Sequence, residues 1–317
     1  MNTQDNHQEN QNKYQYQEDE IDIRELFAIL WKGKWLILSI TFIFAIASVG
    51  IALWLPNEYK ATVVVQAAEK NDSGKLASLA GSFGGLASLA GIDLSSSSAT
   101  EEVIAVEIIQ SWGFIEDFIK RHDISVPVFA ATGWDESNNK LIIDEDVFNT
   151  QKNQWVREPP PGKTVEPTSW ELYQKFKERL LVVKDPETGL LSISLTYYSP
   201  ELAKKWVDYL LQDINKYMKE KALDEANKSI QYLEEQINKT SLAEIRTVFS
   251  ELIQEQHKTK MLAQISDEYV FKTVSRAKAP EERDKPNRAL ICIIGTLLGG
   301  FLSVLLVLIS GLFRKGK

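Results

Sequence analysis

The chain has 317 residues, 44% of them hydrophobic, and a formal net charge of -8 at pH 7. An acidic balance without a Lys/Arg-rich stripe disfavours nucleic acid as a partner. The only cysteine, Cys292, excludes an intrachain disulfide, and His7, His122 and His257 are too far apart in sequence for metal-ligand spacing, so each reads as a surface histidine.

Met1 to Glu20 is rich in Asn, Gln, Asp and Glu and reads as a disordered tail. Ile23, Leu26, Phe27, Leu30 and Trp31 then recur at three- and four-residue steps. That spacing predicts an amphipathic helix at the membrane surface that leads into a first span. Trp35 to Leu55 carries no charge over twenty-one residues, bounded by Lys34 and Glu58. About 20 apolar residues cross a bilayer core as a helix, and tryptophans settle at headgroup level, as Trp35 and Trp54 would. The run is too long for a secretory signal, and no small-residue cleavage site comes after it.

Tyr59 to Gln66 is a β-branched strand. Lys75 to Leu94 repeats LASLAG and is punctuated by glycine, which predicts short helices joined by turns. Either a flexible or subunit-contacting segment or a packed loop fits it. Glu101 to Gln110 and Phe114 to Arg121 have helical spacing, and Ser125 to Lys163 is mixed, with a stiff Pro159-Pro160-Pro161 connector. Thr168-x-x-Glu171 is a capping box that opens a helix to about Leu180. A hairpin comes next: a strand over Leu181 to Lys184, a turn at Asp185 to Gly189, and an alternating strand through Leu191, Ile193 and Leu195.

Ser199-Pro200 places a helix N-cap before a proline at the first helical position. No Gly or Pro interrupts the pattern before Lys239, so a helix of about 60 Å is expected at 1.5 Å per residue. Its charged second half predicts an arm. There Ile230, Leu233 and Ile237 form an apolar stripe that a neighbouring subunit or a returning helix must cover. Ser241-x-x-Glu244 reads as a second capping box, opening that returning helix to about residue 266. Tyr269 to Ser275 reads as a last strand, and Pro280 and Pro286 bracket a charged linker. Ala289 to Phe313 is a second uncharged run, of twenty-five residues.

These elements predict an α+β membrane protein in which two transmembrane helices flank one α/β domain with a long extended helical arm. The boundaries are 1–34 for the tail and lead-in, 35–55 for the first span, 56–288 for the domain, 289–313 for the second span and 314–317 for the tail. Arg24, Lys32 and Lys34 before the first span, and Arg314, Lys315 and Lys317 after the second, place both termini in the cytoplasm. The basic residues between Arg276 and Arg288 argue the other way, but long loops cross largely regardless of charge. Within the second span, Gly295 and Gly299 form a GxxxG step that Gly300 and Ser303 widen. Small residues at this spacing let a partner backbone approach closely, either the first span or another membrane protein.

Chemistry-bearing motifs are missing. There is no phosphate loop, no G-x-S-x-G elbow, no H-E-x-x-H and no C-x-x-C. No catalytic, metal or cofactor residue is assigned, and no cofactor is expected. The four residues after Phe313 do not make a cytoplasmic output domain.

Four stretches carry a resemblance: EIDIRELFAILWKGKW (Glu20 to Trp35), PNEYKATVVVQ (Pro56 to Gln66), Ser241 to Glu281, and DKPNRALICIIGTLLGG (Asp284 to Gly300). In them the chain resembles the Wzz polysaccharide co-polymerases, the chain-length determinants of lipopolysaccharide O-antigen. The likeness is thin from Ser125 to Lys163, and the linker at Pro280 and Pro286 is poorer in proline than that of some members. The resemblance implies a two-pass protein of the Gram-negative inner membrane with a periplasmic α/β base. It implies a homo-oligomeric ring that sets the length of a glycan made by a separate Wzy-type polymerase, with contact to the growing or lipid-linked glycan open. Lacking a phosphate loop, the chain looks like the kinase-free branch. The alternative is an adaptor for capsule or exopolysaccharide export that works with a separate tyrosine kinase.

Overall fold

The computed structural model describes residues 30–68 and 98–315, apart from the side chains of 98–100 and 311–315. The acidic tail, Ile23, Leu26 and Phe27 of the lead-in, and the Lys75–Leu94 segment lie outside the described residues.

Two compact units are present: the chain up to Trp54 together with Asn287 onward, and Leu55–Pro286. In the first, α1 (Lys34–Trp54) and α8 (Arg288–Lys315) pack on each other. Both are long and apolar enough to cross a membrane, with mean hydropathy 2.6.

The second unit runs in order β1 (Tyr59–Ala67), α2 (Ser98–Ile109), α3 (Trp112–Arg121), α4 (Ser125–Ala130), β2 (Ala131–Asp135), β3 (Lys140–Ile143), β4 (Phe148–Asn149), β5 (Gln154–Trp155), α5 (Ser169–Lys177), β6 (Leu180–Lys184), β7 (Leu191–Tyr197), α6 (Pro200–Lys239), α7 (Ala243–Ile265) and β8 (Phe271–Ser275). Its main sheet is antiparallel, in the order β6-β7-β1-β8. Val63 pairs with Ile193, and Ile193 with Val182. The period of two sends Ala61, Val63, Val65, Leu191, Ile193 and Leu195 to one buried face, where α6 lays Trp206, Val207, Leu210 and Ile214 into the same core. The mixed stretch resolves into α4 and the small hairpins β2-β3 and β4-β5.

The two helix-start signals fare differently. Thr168 Oγ1 accepts from the Glu171 amide while the Glu171 carboxylate accepts from the Thr168 amide, a complete capping box. The Ser241 box does not form: α7 begins at Ala243, with Leu242 at its cap and no side-chain bond there. Thr240 and Leu242 are both extended, so the residues between the helices are used to reverse the chain rather than to cap α7.

The returning helix covers the middle of the stripe on the arm, at Leu233. Leu233 is 0% exposed, against Val248 and Leu252 of α7, with Phe249 and Ile253 beside them. Further along the hairpin, Lys219 Nζ donates to the carbonyls of Gln264 (3.1 Å) and Ser266 (3.0 Å). No neighbouring subunit is needed to bury Leu233. Leu233→Ala should therefore cost about 2–5 kcal/mol locally. Hydrogen exchange should rise in 226–256 and stay unchanged in β1 and β7. Exchange that rises equally in both regions would mean the hairpin does not open on its own.

Candidate functional site

The most closely built polar and small-residue contact among the described residues of the first unit is the face between α1 and α8. A Cβ placed on Gly295 would lie 2.5 Å from Ser48 Cβ, and one on Gly299 would collide with Phe44 Cβ and Cγ. Gly300 faces Thr41 more loosely. Ser303 is 0% exposed; its hydroxyl donates to the Gly300 carbonyl (2.7 Å) and lies 3.5 Å from Thr41 Oγ1. The hydroxyl of Ser48 donates to the Ala45 carbonyl (2.9 Å), so both small polar groups are satisfied within the apolar pair. A Cβ on Gly33 would collide with Val307, a close approach that the GxxxG pattern did not mark. Gly295, Gly299, Gly300 and Ser303 thus lie together on the side of α8 that meets the first span. Pro280 and Pro286 take no part in this face.

In the second unit, the segment before Pro286 is tied to the start of β1. The Glu58 amide donates to the Lys285 carbonyl (2.9 Å), and the Asp284 amide donates back to the Glu58 carbonyl (2.8 Å). The Glu58 carboxylate pairs with Arg179 at 3.3 Å, and the Arg179 guanidinium lies over the rings of Tyr197 and Tyr198. Burial pushes the Tyr197 hydroxyl well above its usual range, and it donates to the Pro127 carbonyl (2.7 Å).

Asn215 ties the arm helix to the start of the last strand. Its Oδ1 accepts from the Val270 and Phe271 amides (2.9 Å each), and its Nδ2 donates to the Phe271 carbonyl (3.1 Å). His122 is not a plain surface histidine. Its ring stacks on Tyr209 (centroids 4.2 Å apart), its Nε2 lies 2.9 Å from Asp213 Oδ2, and its side chain is 17% exposed. The end of α3 and the arm helix α6 meet there, which isolated spacing does not reveal. His257 is exposed, and His7 lies outside the described residues. No group of three or more His, Cys, Asp or Glu suited to a metal occurs among the described residues.

Arg157 makes a two-pronged pair with Glu171 (3.1 and 2.9 Å) and donates to the carbonyls of Thr164 (3.0 Å) and Val165 (2.8 Å). Lys163 adds a second cation, 3.1 Å from Glu171. Arg157, chiefly, holds the Glu171 carboxyl down at about 2. A depressed carboxyl stabilises the fold fully above its unfolded pKa of about 4.3, and that contribution is lost as pH falls through about 2. Wild type should therefore lose melting temperature steeply below about pH 5. Glu171→Gln should start lower at pH 7 and fall less steeply below pH 5. Parallel curves would show that the pair contributes nothing to acid sensitivity.

The fold and these contacts define a class: a protein with two candidate membrane helices, closely packed on each other, and a large helix-and-sheet unit with a long helical arm. The family model for "Wzz: Chain length determinant protein" matches residues 19–122. Over those residues, about a third of its length, the chain is similar to the Wzz chain length determinant family. No curated protein matches the chain. Among solved structures it is similar to a "full-length bacterial polysaccharide co-polymerase", at 12% identity and TM-score 0.40, over 94% of this chain and 99% of that one. It is also similar to a "Fragment of WzzB, Polysaccharide Co-polymerase from Salmonella Typhimurium", at 16% identity and TM-score 0.27, over 72% of this chain and 100% of that one. At such scores neither likeness carries a conclusion about this chain.

Proposed function

We propose that this protein sets the chain length of a lipopolysaccharide O-antigen, acting without catalysis as an oligomeric scaffold for a Wzy-type polymerase. The observation that carries the reading is the chain length determinant match over residues 19–122, which includes the first span and β1. Both termini are cytoplasmic and the central domain is periplasmic in the Gram-negative inner membrane, a placement supported by Lys32, Lys34, Arg314 and Lys315. The close face between the spans holds the pair as one unit against which the polymerase is positioned. The charged linker bracketed by Pro280 and Pro286 joins that pair to the central domain. The homo-oligomer does not rest on Leu233 of the arm, which α7 covers. It is supported by the family and by apolar side chains left open on α7, such as Met261, Leu262 and Ile265.

Deleting the gene and separating the cell's lipopolysaccharide on a gel tests the reading. The modal cluster of long chains should disappear and return with the wild-type gene. An unchanged ladder, together with loss of capsule or exopolysaccharide, would favour the export-adaptor alternative.

A further inference from the structure

On the outside of α3 and α5 lies a surface that the length-setting role leaves unused. Trp112 and Trp170 are 44% and 43% exposed, and their rings meet edge to face with centroids 5.1 Å apart. Trp170 also leans on Tyr173, whose hydroxyl donates to the Gln110 carbonyl (3.3 Å) and accepts from Lys177 Nζ (2.9 Å). The rings are thus held in place rather than loose on the surface. Neither indole N–H has a hydrogen-bond partner among the described residues.

A groove of about 450 Å³ opens beside this pair. Glu116, one turn after Trp112 on the same face of α3, lines it together with Lys120, Asp123, Glu166 and Ser169, beside Ile119 and Leu172, so carboxylates outnumber the single cation. Glu116 is paired with Lys120. The carboxylates of Asp123 and Glu166 have no ion-pair or side-chain hydrogen-bond partner among the described residues. The surface therefore offers flat apolar rings, unused N–H donors and unused carboxylate acceptors. An apolar helix or a lipid tail would leave those carboxylates unsolvated, at a cost. A phosphate or uronate would meet their charge at close range.

A pyranose chain complements each feature. Its C–H faces lie on the indoles, and its hydroxyls donate to carboxylates and accept from indole N–H. Resting on the length-setting reading, we propose that the Trp112–Trp170 pair and the adjoining groove bind the polymer itself, at uncharged sugar units.

Full-length protein in lipid nanodiscs tests this by saturation-transfer NMR. The probe is the polysaccharide released by mild acid from lipopolysaccharide of the expressing cells, with an oligogalacturonate as the acidic control. Transfer to the ring C–H protons of the released polysaccharide is expected for wild type and for Trp112→Tyr/Trp170→Tyr. Affinity should fall about ten-fold in Trp112→Ala/Trp170→Ala at an unchanged melting midpoint, since stacked rings supply most of the contact. Glu166→Gln, on an exposed residue whose loss leaves the fold alone, should weaken binding about three-fold. The oligogalacturonate should show no transfer. No transfer to wild type, equal affinity in the double alanine variant, or equal binding of the oligogalacturonate would overturn the proposal. A double alanine variant that binds normally yet loses length control would assign the patch to a protein partner instead, and would overturn it too. If gene deletion abolishes the modal length but wild type shows no transfer, the glycan site alone is wrong. If transfer occurs but deletion leaves chain lengths unchanged, the length-setting reading alone is wrong.

Discussion

Asn215→Leu is expected to lower the melting midpoint by about 10 °C and to release β8 (Phe271–Ser275) from the sheet. The side chains are close in size, so packing alone would change little. What changes is that the Val270 and Phe271 amides lose their acceptor and the Phe271 carbonyl loses a donor. These groups are buried and water does not replace the amide. Each orphaned group costs roughly 1–3 kcal/mol, a large part of the 5–15 kcal/mol that holds a domain together. The melting curve of the full-length variant in nanodiscs measures the loss, and hydrogen exchange locates it at Ala67–Ala68 and 270–275. A midpoint within about 2 °C of wild type would show that the three bonds are dispensable.

The second large effect is expected in the membrane. Gly295→Leu/Gly299→Leu places side chains where even a Cβ collides with Ser48 and Phe44. The helices must separate or rotate, which forfeits the packing that membrane helices rely on in place of a hydrophobic driving force. Leucine favours the bilayer, so insertion and abundance should stay normal. Thr41→Cys/Ser303→Cys, in a Cys292→Ser background, replaces hydroxyls 3.5 Å apart and should cross-link readily on mild oxidation. Adding the two leucines should abolish most of that cross-link. Glycan lengths should then drift to an unregulated spread. A normal banding pattern at normal abundance would show the glycines to be incidental.

The contrast between these two sites shows what a sequence makes legible. Gly295 and Gly299 stand out in the sequence because the groove they leave is a local property of one helix. The start of α6 is as legible, since Ser199 and Pro200 act on the adjacent turn, where Ser199 Oγ accepts from the Leu202 amide. The alternation of Leu191, Ile193 and Leu195 marks their buried face in the same way. Asn215 gives no local signal: its partners lie fifty-five and fifty-six residues away, and only the fold brings them together. His122 is missed for the same reason, because Tyr209 and Asp213 belong to another element. Ser241 fails in the opposite sense: its local pattern is right for a cap, but the chain reversal after Lys239 takes it. The groove beside Trp170 is invisible in one dimension, since α3 and α5 are far apart in the chain. The resemblance at Glu20 to Trp35 and Pro56 to Gln66 falls within the residues that the family model matches.

On the proposed function, the chain redistributes polymer without making it. The direct measurement is total O-antigen sugar incorporation beside the length distribution, in a deletion strain where the wild-type gene is induced stepwise. Incorporation should stay constant while the modal cluster of long chains grows from none. Incorporation that rises in proportion to induction, with the distribution unchanged, would contradict the account and make the chain part of the synthetic machinery.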